Sequence, residues 1–129
     1  MVTKQKASEV MSRWIEVINS GDIKLIDQAA ERFFTNDYVW HFPGVHDFPS
    51  GPACAKQLFR GILEQNPEFK STLEELIQEG NMVAIRCTMH RKDPTNGKPQ
   101  HETLLQLSRF VGDKYAEDWE LIGQWEDDA

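Results

Sequence analysis

The apolar residues of this chain change their period part-way along. Between Ser8 and Asn19, Val10, Trp14, Val17 and Ile18 recur at i, i+4, i+7 and i+8, which is one stripe of a helix. Beyond Met82, Val83, Ile85, Cys87 and Met89 alternate with Ala84, Arg86, Thr88 and His90, which is the two-faced pattern of a strand. A helical repeat cannot bury one face as a strand, nor the reverse. The chain must therefore pack a helical first part on a sheet-forming second part, an α+β arrangement.

Turn and cap residues divide the two parts. Ser20-Gly21 ends the first helix, and Asp22 reads as the N-cap of a second, whose buried face is Leu25, Ile26, Ala29 and Phe33. Asn36-Asp37 closes that helix, and Tyr38–Phe42, aromatic and β-branched, reads as a strand. A loop from Pro43 to Ser50 follows. Gly51 and Pro52 then open a third helix, which Asn66-Pro67 stops. Four strands complete the chain: Lys70–Gln78, Met82–Lys92, His101–Val111 and Tyr115–Gly123. The expectation is an antiparallel meander with the helices on one face of a curved sheet and a cavity between.

The 129 residues suit one domain, spanning 1–129, with enough length for a real core. Fourteen Lys and Arg against 21 Asp and Glu leave a net charge of −7, which argues against nucleic acid or an anionic membrane as partner. The start, MVTKQKASEV, lacks the apolar core of a secretory leader, and no apolar run is long enough for a membrane span. Cys54 and Cys87 read as two free, buried thiols in a reducing compartment. A cytoplasmic protein is the expectation. No P-loop, G-x-S-x-G, G-x-G-x-x-G or C-x-x-C motif occurs.

The words carried by these elements resemble a known family, the SnoaL-like polyketide cyclases. Asn19-Ser20-Gly21-Asp22 is similar to the family's N-x-G-D between its first two helices, and Phe33 to His41 is similar to its F…D-[FY]-V-x-H strand entry. Gly51-Pro52 matches its G-P, and Glu79-Gly80-Asn81-Met82-Val83-Ala84-Ile85-Arg86 resembles its E-G-D-x-V-A-x-R hairpin. Gly97-Lys98-Pro99, Arg109-Phe110, Gly112-Asp113-Lys114 and Glu117-Asp118-Trp119 resemble its closing strands. The match runs from about Glu9 to Gly123.

The resemblance implies the cone of the nuclear transport factor 2-like superfamily: a curved antiparallel sheet wrapped around the N-terminal helices and enclosing a pocket. It implies a cofactor-free cyclase, isomerase or dehydratase working on an apolar, carbonyl-bearing small molecule, with no metal. It also implies a homodimer through the outer sheet face. The alternative on this fold is a non-catalytic binding or protein-interaction domain, since fold does not fix function.

Carried over residue by residue, Asp118, just before Trp119 on the last strand, takes the place of the general acid/base. A carboxyl in an apolar pocket loses hydration, and its pKa rises toward neutrality. Where the family has a histidine facing that acid, this chain has Gln106, which can donate a hydrogen bond but cannot carry a proton. His41 falls where the family often has a pocket histidine. The aromatic setting of Tyr38, Trp40, Phe42 and Phe48 suits a ring-shaped ligand. Trp14, Phe59 and Phe110 read as core with some atoms in the pocket wall. Arg86 and His90 share one strand face. They bind an anionic or carbonyl group if that face looks inward, and lie at a dimer interface if it looks outward. An inward Asp118 also turns Trp119 outward, where a partner subunit would cover it.

Overall fold

The computed structural model describes residues 4–129, with side chains from residue 6 onward; part of the segment read above for a leader lies outside the described residues. Three helices precede the body of the sheet: α1 (Lys4–Asn19), α2 (Ile23–Phe33) and α3 (Pro52–Gln65). Asp22 caps α2 by accepting from the backbone N–H groups of Lys24 and Leu25. Gly51 and Pro52 open α3 as the sequence implies. The glycine is required there twice over. Its φ is +77°, and a Cβ would stand 2.5 Å from the carbonyl oxygen of Asn36. That close approach ties α3 to the strand before it, where Gly51 also donates to the Tyr38 carbonyl at 2.8 Å.

Six strands form one open sheet: β1 (Phe34–His41), β2 (Lys70–Glu79), β3 (Met82–Lys92), β4 (Pro99–Val111), β5 (Lys114–Ile122) and the short β6 (Glu126–Asp127). Their order is β1-β5-β4-β3-β2, with β6 beside β4. The meander β2 to β5 is antiparallel as expected, but β1 pairs with β5 in parallel, so the sheet is mixed. The reason is topological. β1 enters from α2 and returns to the sheet only through α3, a crossover rather than a hairpin. β1 also begins at Phe34, immediately after α2, so Asn36-Asp37 lies inside an irregular stretch of strand and not at a helix end.

Alternation decides what each strand buries. On β4, Glu102, Leu104, Ser108 and Phe110 are buried while Thr103, Leu105 and Leu107 are exposed. On β3, Val83, Ile85 and Cys87 are buried and Ala84 is exposed. The inner face packs on the helices, and Met11, Ile26, Phe34, Val83, Phe110 and Tyr115 anchor the core. No helix among the described residues is long and apolar enough to cross a membrane.

Candidate active site

Between the helices and the inner sheet face lies a cavity of about 330 Å³, within the size range of small-molecule pockets. Trp14 and Ile18 of α1 wall one side, and Leu58, Phe59 and Ile62 of α3 another; Tyr38 and Trp40 come from β1. Trp14 is packed edge-on to Phe34 and Phe59, at 4.9 and 5.5 Å between ring centroids, so the aromatic wall is a braced one. The exposed lining residues, Gln65, Pro94 and Ile122, mark the mouth, and the fully buried ones, among them Tyr38, Cys54 and Tyr115, mark the deep end.

Asp118 stands at the deep end with 3% of its surface exposed. Three side chains donate to it. Tyr38 reaches Oδ2 at 2.6 Å, Ser108 bonds Oδ1, and Gln106 Nε2 approaches Oδ1 at 3.4 Å while also bonding Ser108 at 2.8 Å. Ser108 lies directly across the β4–β5 ladder from Asp118, and Gln106 lies one inward position further along. A carboxylate has about four acceptor positions, so three donors leave about one for a substrate proton. Burial drives the Asp118 pKa up from 3.8 to about 6, against the lowering pull of those hydrogen bonds. The phenol of Tyr38 is likewise pushed well above 10, by burial first and then by the adjacent Asp118 charge, so it stays a donor.

A second carboxyl shares the cavity. Glu120, two residues on along β5, projects to the same face and lies across the ladder from Gln106. Burial, then the Asp118 charge, push its pKa up from 4.5 to about 8. The indole N–H of Trp40 is buried without a full hydrogen bond, yet lies near enough to favour the Glu120 anion weakly. Among the described residues no group of three or more His, Cys, Asp or Glu side chains is arranged to hold a metal ion.

A family model described as the SnoaL-like domain matches residues 11–118, most of the chain and every wall of this cavity up to Asp118. The chain belongs to the SnoaL-like domain family. Solved structures agree on the fold. IdmH from Streptomyces antibioticus, assigned as a polyketide cyclase, superposes with a TM-score of 0.74 at 23% identity, covering 90% of this chain and 91% of its own. A protein of Acidithiobacillus ferrooxidans with the same assignment gives 0.78 at 18% identity, over 96% and 92% of the two chains. AclR from Streptomyces galilaeus, assigned as a hydroxylase, gives 0.72 at 18%, over 94% and 91%. No curated protein matches the chain.

In this SnoaL-like domain the expected site residues separate into two groups. Asp118, Gln106, Trp14, Tyr38, Trp40 and Phe59 all line the cavity. His41 does not. Tyr38 and Trp40 face inward, so His41 between Trp40 and Phe42 faces outward; its Nε2 meets Glu117 at 2.6 Å and its ring stacks on Trp119 at 5.2 Å. Arg86 and His90 are also on the outer face, because Ile85, Cys87 and Met89 take the inward positions. Arg86 pairs with Glu75 at 2.8 Å, and His90 is 3.4 Å from the Thr72 hydroxyl. Phe110 is buried to 1% but stands outside the cavity lining, packed against Tyr115 at 4.8 Å.

Glu120 is a site residue that the sequence reading does not single out. The signal was present: any residue two from Asp118 on a strand shares its face. Cys54 and Cys87 are free, buried and part of the cavity wall, and burial pushes both thiols up to about 11, which keeps them protonated and inert.

Proposed function

We propose that this SnoaL-like domain is a cofactor-free acid–base enzyme acting on an apolar, carbonyl-bearing small molecule, with Asp118 as the group that takes and returns a proton. The observation that carries the reading is a single one. Asp118 is nearly fully buried, opens into an apolar-walled cavity, and is held by three neutral donors with no cation paired to it among the described residues. A structural carboxylate at such depth would be expected to have a charged partner, because an unpaired buried charge is costly. A carboxyl near neutrality is the form general acid–base chemistry uses.

Cyclisation, isomerisation and dehydration beside a carbonyl all begin with loss of a proton from the adjacent carbon. Asp118 takes that proton, Tyr38 and Ser108 fix the carboxylate, and Gln106 orients the carbonyl. Trp14, Trp40 and Phe59 receive the ring. The polyketide cyclase assignments of IdmH and the Acidithiobacillus protein agree with carbonyl chemistry of this kind.

The test is exchange of the α-hydrogens of 1-tetralone and related cyclic ketones in D₂O, read by mass spectrometry. Wild type should exchange them, and Asp118→Asn should lose about 10²-fold or more, the ordinary contribution of a general base. Equal rates in the two proteins overturn the reading; binding without exchange in both assigns a non-catalytic pocket instead.

The outer face supports a second part of the proposal. Leu107 lies across the ladder from Trp119, and Leu105 from Leu121, and all four are exposed. A second copy of the chain covers this stripe in our reading, and light scattering on the purified protein checks it. The buried free thiols support placing the protein in the cytoplasm.

A further inference from the structure

We propose that Glu120 is a second catalytic residue of this site, the acid that protonates a substrate oxygen while Asp118 removes a proton from carbon. The inference rests on the acid–base reading of Asp118 and supplies what that reading lacks. Removing a C–H proton beside a carbonyl leaves negative charge on the carbonyl oxygen, and a group that can give up a proton must meet it. Gln106, the side chain beside Asp118 on the facing strand, cannot give one up.

Three observations place Glu120 in that role. It is on the inward face of β5, two residues from Asp118, so the Cα atoms that carry the two carboxyls stand about 7 Å apart along the strand at roughly 3.4 Å per residue. It lies across the ladder from Gln106, so both ends of a bound carbonyl unit find a polar group at the same depth. It also lines a second depression, walled by Phe42 and Phe48 and by Trp119 and Leu121 of the outer face, whereas Asp118 lines only the inner cavity. Glu120 is half-buried where Asp118 is buried, so it is the carboxyl nearer solvent and can be reprotonated between turnovers through the cavity mouth.

The proton count closes. Asp118 gains a proton from carbon as the C–H electron pair moves toward the carbonyl, either as an enol or into a new bond to a carbonyl carbon. Glu120 loses its proton to the carbonyl oxygen. The pair ends with the same charge it began with and resets by one proton leaving Asp118 and one returning to Glu120. No other reactant is needed.

The groups that face the pair fit the assignment. Tyr38 from β1, Cys54 from α3, Cys87 from β3 and Tyr115 from β5 surround the pair, Glu117 acts on Asp118 from the outer face, and Glu102 of β4 and the cation Arg91 of β3, which bonds Gln100, line the same cavity. Tyr38, Cys54, Cys87 and Tyr115 are held protonated by burial, so of the two carboxyls Asp118 carries the charge at neutral pH and Glu120 the stored proton.

Two measurements on the full chain test this. In ligand-free protein, carboxyl ¹³C NMR of wild type and Asp118→Asn follows the titration of Glu120. The expected result is a midpoint above 6 in wild type that falls in Asp118→Asn, where the neighbouring charge is gone. A midpoint in the ordinary carboxylate range overturns the inference whatever Asp118 does. In the 1-tetralone exchange assay, Glu120→Gln should lower the rate at least tenfold with little change in KM and remove the alkaline limb of the pH profile, and Glu120→Asp should recover part of the rate. A Glu120→Gln rate and pH profile equal to wild type would sink the proposal while leaving Asp118 in place. Equal rates in wild type and Asp118→Asn would sink the base reading, and the NMR midpoint would still decide Glu120.

Discussion

Glu117 and Asp118 are neighbours in the chain and opposites in chemistry. Glu117 points to the outer face, bonds His41 and Arg109, and has its pKa lowered, by the His41 hydrogen bond first. Asp118 points to the inner face, is held by neutral hydroxyl and amide donors, and has its pKa raised by burial. One peptide unit separates them, and the pleat of β5 sends one carboxyl to water and cations and the other into an apolar cavity. The same division runs along the strand. Trp119 and Leu121 join the exposed apolar stripe, while Glu120 and Ile122 line the pocket. Acidity on this strand is thus a property of the face and not of the residue type.

The largest effect that could break this comparison comes from substituting the two neighbours separately. Asp118→Asn should cost 10²-fold or more in exchange rate, and Glu117→Gln should stay within about twofold of wild type. A large loss in Glu117→Gln would mean that the outer acid shapes the site, and the division between faces would fail. On the outer face, Leu107→Glu with Leu121→Glu should convert the proposed dimer to a monomer in light scattering while the proposed exchange chemistry persists. Loss of the exchange chemistry along with the dimer would show that the faces are coupled.

The pH dependence of stability sharpens the same contrast. Asp118 and Glu120 bind protons more tightly in the folded state than in the unfolded one. Their contribution is therefore full at low pH and is lost as pH rises through about 4 to 8, an effect of several kcal/mol. Denaturant midpoints of wild type should fall across that window, and those of the Asp118→Asn, Glu120→Gln double variant should stay nearly flat. Glu117, with its lowered pKa, has the opposite sign: it contributes above the ordinary carboxylate range and loses that contribution in acid. Its exposure keeps the effect to a few tenths of a kcal/mol. A modest change is expected in Tyr38→Phe. It removes one buried hydrogen bond, costs about 1 kcal/mol, and lifts the Asp118 midpoint because a donor to the anion is gone. A fall in that midpoint would contradict the hydrogen-bond assignment.

Much of this was legible in the sequence, and unevenly so. The period change placed the helices and strands, and Ser20-Gly21, Asp22 and Gly51-Pro52 marked their ends. Faces were harder. On β5 both alternating sets hold acidic and apolar residues, so alternation alone leaves the inward set open, and the resemblance to a known family turned Asp118 inward. Given that, parity would have placed Glu120 in the pocket, and parity with Tyr38 and Trp40 would have placed His41 outside. Phe110 is a different case. The register slips between Arg109 and Phe110, leaving Ala116 as an extra residue on β5, so Tyr115 rather than Phe110 fills the wall at that level.

By itself, then, the sequence determined the periods, the caps and the order of elements, because these depend on residues within a few positions of each other. Only the tertiary structure decided that β1 lies parallel against β5, which inward positions meet across the ladders, and that Asp118 and Glu120 share one desolvated space. Those outcomes depend on strands far apart in the chain packing around one cavity, and the acidity of a carboxyl follows from what surrounds it there.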